Sequence, residues 1–247
     1  MRILLKISFV GSAYHGWQVQ PNAITVQEVM QNALESLYNK RPPLTGCSRT
    51  DAGVHANEFY CHYDAPSDIP LKGIVAALNS FLPNDIAVLS AEYVEPDFHA
   101  RYSAKSKNYI YKIHNSDTIN PFISDRMLHI ERKLDIDLMN EFCSRIVGEY
   151  DFIGFSSSGR TVTDTVRTIT DCKVSKIGDE ITLSVTANGF LYNMVRIITG
   201  TAICVSDGKI DPIKTKEIIL SKDRNRAGFT APAHGLYLNK VIYKTKD

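Results

Sequence analysis

The sequence predicts an α+β protein built on a mixed, mainly antiparallel sheet flanked by helices. Three observations lead there. Segments of alternating apolar residues are interleaved with segments of helical apolar spacing along the whole chain. A hairpin signal joins two neighbouring strand segments, which favours antiparallel pairing over a doubly wound parallel sheet. Each half runs through strands, a helix and further strands with no Pro-, Gly- and Ser-rich linker between them. This predicts two similar halves, 1–104 and 105–247, that share one sheet.

The elements follow in order. Ile3, Leu5, Ile7 and Phe9 alternate with Leu4, Lys6 and Ser8, the period of a half-buried strand. A loop with the chain's single tryptophan, Trp17, leads to Thr25-Val26-Gln27-Glu28, a capping box in which the Thr hydroxyl accepts from the Glu28 N–H. Val26, Val29, Met30, Ala33, Leu34 and Leu37 then recur at helical spacing, predicting a helix over 26–39. A second helix is expected over 70–81, behind Pro70, with strands at 86–89 and 108–114. Met139, Phe142, Cys143, Ile146 and Val147 predict a helix over 135–147 capped by Asp135 or Asp137. Segments 166–176 and 180–186 flank Ile177-Gly178-Asp179 as a hairpin. The apolar stretch 190–205 reads as a buried helix, Asp211-Pro212 opens another, and 236–243 closes the chain as a strand.

Composition narrows the classes of function. Of 247 residues, 44% are hydrophobic and 22% charged, ordinary for a soluble globular protein, and Lys+Arg (28) nearly balances Asp+Glu (27). That excludes a polybasic tail or an acidic disordered domain but not a segregated basic face. Arg101, Lys105, Lys107 and Lys112 form one basic group around 109, and Lys222, Arg224 and Arg226 a second, each able to contact phosphates. The five cysteines are odd in number, scattered and without a C-x-x-C pair. They point to reduced thiols and a cytoplasmic location. Lys6 interrupts the first apolar run, so neither a signal peptide nor a membrane span is expected. His55, His62, His99 and Cys61 match no standard zinc spacing, so no metal is expected.

The most informative stretch is Gly46-Cys47-Ser48-Arg49-Thr50-Asp51-Ala52-Gly53-Val54-His55. A turn is expected at Ala52-Gly53. In an extended segment residues i and i+2 point the same way, so Arg49 and Asp51 either face one cavity or form a structural ion pair. Arg196 in the apolar run N-M-V-R-I-I-T-G is a buried-helix arginine, which needs a partner whether its role is structural or functional.

R-T-D-A-G-V-H (49–55) resembles the signature of the TruA-type tRNA pseudouridine synthase family, and further blocks match in the same order. They are G-W-Q-V-Q (16–20), T-V-Q-E (25–28), N-S-F-L-P-N-D-I-A-V (79–88), D-F-H-A-R-Y-S-A (97–104) with Y-I-Y (109–111), N-G-F-L-Y-N-M-V-R-I-I-T-G (188–200) and G-L-Y-L (235–238). The chain departs from the family pattern at Ser48, at Phe9-Val10-Gly11 and at His234. The resemblance implies a catalytic cleft between the two halves, with Asp51 as the nucleophile and Arg196 as the basic residue paired with it. It implies that Tyr109 stacks on the target uracil and that Arg49 fills the space the extracted base leaves. It further implies a homodimer with tRNA across both subunits and uridines 38 to 40 of the anticodon arm as targets.

The chemistry matches those residues. Isomerising uridine to pseudouridine breaks N1–C1′ and joins C5 to C1′ with no redox change, so neither metal nor organic cofactor is required. A carboxylate suits attack at C1′ or removal of a ribose proton, and a neighbouring cation keeps it ionised against desolvation. Other readings are a synthase for other RNA positions, a non-catalytic RNA-binding protein, and a hydrolase using Asp51 with His55 as base. The silent protein would have lost the aspartate or its arginine. The hydrolase would need a water-positioning pair and usually a metal.

Overall fold

In the computed structural model, which describes residues 1–159 and 163–243, the alternating segment at the start of the chain is strand β1 (Arg2–Phe9). The chain continues through α1 (Val26–Tyr38), the short β2 (Thr45–Gly46), β3 (His55–Asp64), α2 (Leu71–Phe81) and β4 (Ile86–Val94). There follow β5 (Ala104–Asn115), β6 (Leu128–Ile130), α3 (Ile136–Ile146), β7 (Gly148–Asp151), β8 (Val166–Ile177), β9 (Glu180–Ala187), α4 (Met194–Ser206), α5 (Thr215–Ser221) and β10 (Leu236–Tyr243). Two compact units result. The first is Met1–Lys105 with the segment from Tyr237 onward, and the second is Ser106–Leu236.

In the first unit the strands lie in the order β4-β1-β3-β10, with β2 also on β3. β1 is antiparallel to both neighbours, and β10 joins parallel to β3 through Tyr237 opposite His55 and Leu238 opposite Ala56. The second unit has the order β5-β9-β8-β7, antiparallel throughout, with β6 parallel to β5. Each unit is thus α+β on a mixed, mainly antiparallel sheet, the predicted class.

Local chemistry explains the elements. Thr25 Oγ1 accepts from Glu28 N at 3.4 Å to start α1, and Asp135 accepts from the N–H groups of Asp137 and Leu138 to start α3. Gly178, at φ +56°, makes the β8–β9 hairpin turn. The helix expected from 190 begins only at Met194, because Asn193 sits in the left-handed region at φ 61° and breaks the run before it. The long β3 has no sequence expectation behind it: Phe59, Cys61 and Tyr63 are fully buried at alternate positions, but the aromatic Tyr60 and buried His62 between them blur the period.

Each unit clamps a strand with a helix asparagine. Asn79 at the end of α2 donates to Val88 O and accepts from Val88 N, at 2.9 and 2.8 Å. Val88 adjoins a bulge in the β1–β4 ladder, at the sheet edge, where backbone groups need another partner. Asn140 of α3 does the same to Val174 of β8, at 2.9 and 2.8 Å.

The tightest packing in the second unit is between α4 and the 228–231 segment. A Cβ on Gly200 would lie 1.9 Å from Phe229 O. In α2, by contrast, a Cβ on Gly73 meets only Ile69 Cγ2 at 3.5 Å, an ordinary contact. Gly200→Ala is therefore expected to destabilise by about 1–3 kcal/mol through overpacking, and Gly73→Ala to stabilise by about 0.5–1 kcal/mol through helix propensity. Urea unfolding of the two variants against the native chain checks both signs.

Candidate active site

The loop that carries Asp51 lies between β2 and β3 and is fixed mainly by backbone. Cys47 N donates to Tyr60 O at 2.8 Å at one end. At the other, Val54 N donates to Asp51 O at 3.2 Å, closing the turn expected at Ala52-Gly53, with Gly53 at φ +78° in the position where a type II turn requires it. Residues 11–17 grip this loop. Trp17 N donates to Thr50 O, Gly53 N donates to Tyr14 O, and Gly11 N donates to His55 Nδ1 at 3.0 Å. Burial alternates along it: Arg49 is exposed, Thr50 buried and Asp51 half-buried. Arg49 and Asp51 are thus both less buried than the Thr50 between them. His55 is buried, stacked on Tyr237 at 4.6 Å, a structural role.

Two glycines permit this grip. A Cβ on Gly16 would lie 2.4 Å from Thr50 O, and its φ is +85°; a Cβ on Gly11 would lie 1.9 Å from Val54 O. Trp17 is 3% exposed and stacks on Phe59 with centroids 4.2 Å apart. It is a wedge behind the loop rather than an outward-facing ring.

The second unit holds the other two residues singled out from sequence. Tyr109, on β5, is 7% exposed and meets Phe190 edge-to-face at 5.1 Å and 81°, so its ring plane is fixed. Arg196 lies in the first turn of α4, where its Nε donates to Ala231 O at 2.6 Å and its Nη1 to Asn193 Oδ1 at 2.7 Å. Ala231 N returns a bond to Arg196 O. The arginine that looked anomalous in an apolar helix is therefore satisfied by oxygen acceptors, and its guanidinium plane is set by them.

Comparison with known proteins decides what this arrangement belongs to. A family model for tRNA pseudouridine synthase matches residues 6–103 and 142–244. The chain belongs to the tRNA pseudouridine synthase family. It is 45% identical over 241 residues to tRNA pseudouridine synthase A of Thermoanaerobacter sp. strain X514, covering 98% of this chain and 99% of that protein. The protein of the same name from Ruminiclostridium cellulolyticum is 45% identical over 243 residues, and that of Bacillus licheniformis 42% over 245, with the same coverage.

One feature of this tRNA pseudouridine synthase family member was not expected from sequence. In the first unit a cleft of about 280 Å³ opens beside Arg49, lined also by Trp17, Gly46, His99, Arg101 and Tyr102. The D-F-H-A-R-Y-S-A block supplies three of these residues, and paired histidines shape it. His62 Nδ1 accepts from Ala100 N at 3.1 Å, and His99 Nδ1 accepts from both Arg101 N and Tyr102 N. The sequence signal is His99 two residues before the Arg101-Tyr102 pair. Among the described residues, no group of three His, Cys, Asp or Glu side chains is placed to hold a metal ion, and no helix is long and apolar enough to cross a membrane.

The second basic group is engaged internally. Lys222 pairs with Asp151 at 2.8 Å, Arg226 pairs with Glu217 at 2.6 Å, and Arg224 donates to Gly228 O and Thr230 Oγ1. In the first group, Lys112 pairs with Glu180 at 3.0 Å. A run of cations in sequence does not by itself make a phosphate-binding face.

Burial, with Arg2 and His99 nearby, pushes the His62 imidazole down to about 4, and burial lowers His99 in the same direction. The unfolded chain takes up these protons first, near the ordinary histidine value of about 6.5. The stabilisation is therefore complete above about pH 6.5 and is lost as pH falls towards 4. The urea midpoint should drop between pH 7 and pH 5, and drop less in His62→Gln. Equal drops in the two proteins would remove His62 as the cause.

Proposed function

We propose that this chain isomerises uridines 38 to 40 in the anticodon arm of tRNA to pseudouridine, with Asp51 as the nucleophile. That it is an isomerase making pseudouridine in tRNA follows from its family. The residue roles and the anticodon arm are the further step. The observation that carries the residue roles is the Asp51 loop: a carboxylate and an arginine two residues apart on a segment whose backbone is immobilised from behind.

In this reading Asp51 attacks C1′ or removes a ribose proton, and the N1–C1′ bond breaks. The detached uracil turns and C5 joins C1′; the C5 hydrogen leaves as a proton, N1 takes one up, and the carboxylate is regenerated. Immobilising the loop matters because a nucleophile held close to its attacking geometry avoids the entropic cost of finding it. Arg49 offsets part of the cost of extracting the base, a few kcal/mol. Arg196 is the cation that keeps Asp51 ionised, supported by a guanidinium whose orientation two oxygen acceptors define. Tyr109 is the surface against which the uracil turns, supported by a ring plane that Phe190 locks.

The test is release of tritium from C5 of uridine in an unmodified tRNA transcript, since joining C5 to C1′ must expel that hydrogen. The native chain is expected to release it, and Asp51→Asn to lose about 10⁴-fold or more in rate, the range from losing a supporting carboxylate to losing a nucleophile. Release that survives Asp51→Asn would remove Asp51 from the centre of the reaction. A transcript with cytidines at 38 to 40 should release nothing; release from it would move the target elsewhere. The same reading extends to a cytoplasmic homodimer with tRNA across both subunits, for which light scattering should return the mass of two chains.

A further inference from the structure

Resting on the reading just given, we propose that the cleft beside Arg49 is a nucleotide subsite. It takes a nucleotide of the tRNA other than the uridine being isomerised, with the base on the Tyr102 ring and the phosphate on Arg101.

The cleft has the size and chemistry for this ligand. At about 280 Å³ it lies near the lower end of the roughly 300–1,000 Å³ typical of small-molecule sites, enough for one nucleotide and not a helix. Among the described residues no acidic side chain lines it, whereas Arg49 and Arg101 both do, together with His99 and Tyr102. An apolar peptide would find little to bury there. A base with its phosphate finds one aromatic face and one cation on adjacent residues.

Tyr102 is the strongest single sign. Its side chain is 76% exposed, yet the backbone beneath it is locked. Tyr102 N and Arg101 N share His99 Nδ1, Ser103 N donates to His99 O, and His99 N donates to Ser103 Oγ. Ala100 is held by His62 on one side and accepts from Tyr243 Oη on the other, at 2.8 Å. The ring itself rests on His99 at 4.3 Å, with the Arg101 guanidinium 5.9 Å from its centroid. A solvated surface tyrosine needs no such support. An aromatic platform for a base does, because a ring already ordered loses little entropy when the base arrives. Arg49 belongs both to this cleft and to the Asp51 loop, so the subsite adjoins the proposed point of reaction.

The experiment measures tRNA affinity and its salt dependence for the full chain, alongside tritium release. Tyr102→Ala is expected to weaken tRNA binding about tenfold, within the roughly 5- to 150-fold that losing one base–aromatic stack produces, and to raise KM correspondingly. Tyr102→Phe keeps the ring and should bind as the native chain does. Arg101→Gln should lower the slope of log affinity against log salt by about 1, the loss of one phosphate contact. Native affinity in Tyr102→Ala, or equal weakening in Tyr102→Phe, overturns the proposal. So does a fall in kcat at saturating tRNA with affinity unchanged, which would place Tyr102 on the reacting uridine. If the native chain releases no tritium, the reading of the reaction fails while the affinity results still decide the subsite. If release is normal and the variants bind normally, the subsite alone fails.

Discussion

Everything at the candidate site depends on how closely two stretches of backbone approach one another. The segment carrying Asp51 is a loop, so no ladder of strand hydrogen bonds fixes it. Residues 11–17 do so instead, through Trp17 N to Thr50 O, Gly53 N to Tyr14 O and Gly11 N to the His55 ring. At Gly11 and Gly16 this approach leaves no room for a Cβ, and at Gly16 the backbone is also left-handed. The constraint explains why G-W-Q and R-T-D-A-G-V-H occur in one chain: each is half of a single contact. Trp17 completes it by filling the space behind the loop against Phe59 and Gly46, where a Cβ would sit 2.6 Å from the indole.

The second unit uses the same device for a charged group. Arg196 sits on a helix otherwise dominated by buried residues, a costly place for a guanidinium unless oxygens surround it. The 228–231 segment delivers one of them, Ala231 O, and it lies against α4 only because Gly200 and Gly228 present no side chains. Gly228 N is anchored in turn by Thr201 Oγ1 at 2.9 Å, and Arg224 holds the Gly228 carbonyl. The glycine ending N-M-V-R-I-I-T-G therefore serves the arginine one turn before it.

What the sequence made legible was whatever depends on local periodicity and local chemistry. The alternation of β1, the Thr25 and Asp135 caps, the Gly178 hairpin and the Ala52-Gly53 turn are all decided by residues within a few positions of one another. β3 escaped because Tyr60 and the buried His62 interrupt the polar positions between Phe59, Cys61 and Tyr63, and the start of α4 slipped because Asn193 adopts a left-handed conformation that no neighbour announces. The cleft was invisible because it draws on residues 17 to 102, brought together by the sheet. The partners of the cations at 222, 224 and 226 are as hidden from the sequence: Asp151, Glu217 and Thr230 are brought to them by the fold, and charge counted along the chain cannot see them.

The length of the R-T-D-A-G-V-H signature has a physical origin in this division of labour. Arg49 is exposed and Asp51 half-buried; the other five residues are there for geometry. Thr50 is buried and offers its carbonyl to Trp17, Ala52 and Gly53 make the turn, Val54 is packed away, and His55 accepts from Gly11 and stacks on Tyr237. The H-A-R-Y block is organised alike, with His99 and Ala100 spent on holding the backbone and Arg101 and Tyr102 left to face the cleft. An isomerisation that changes no redox state draws its rate from the placement of a few ordinary side chains. Most of the R-T-D-A-G-V-H stretch therefore specifies placement: five of its seven residues shape or hold the backbone that carries Arg49 and Asp51.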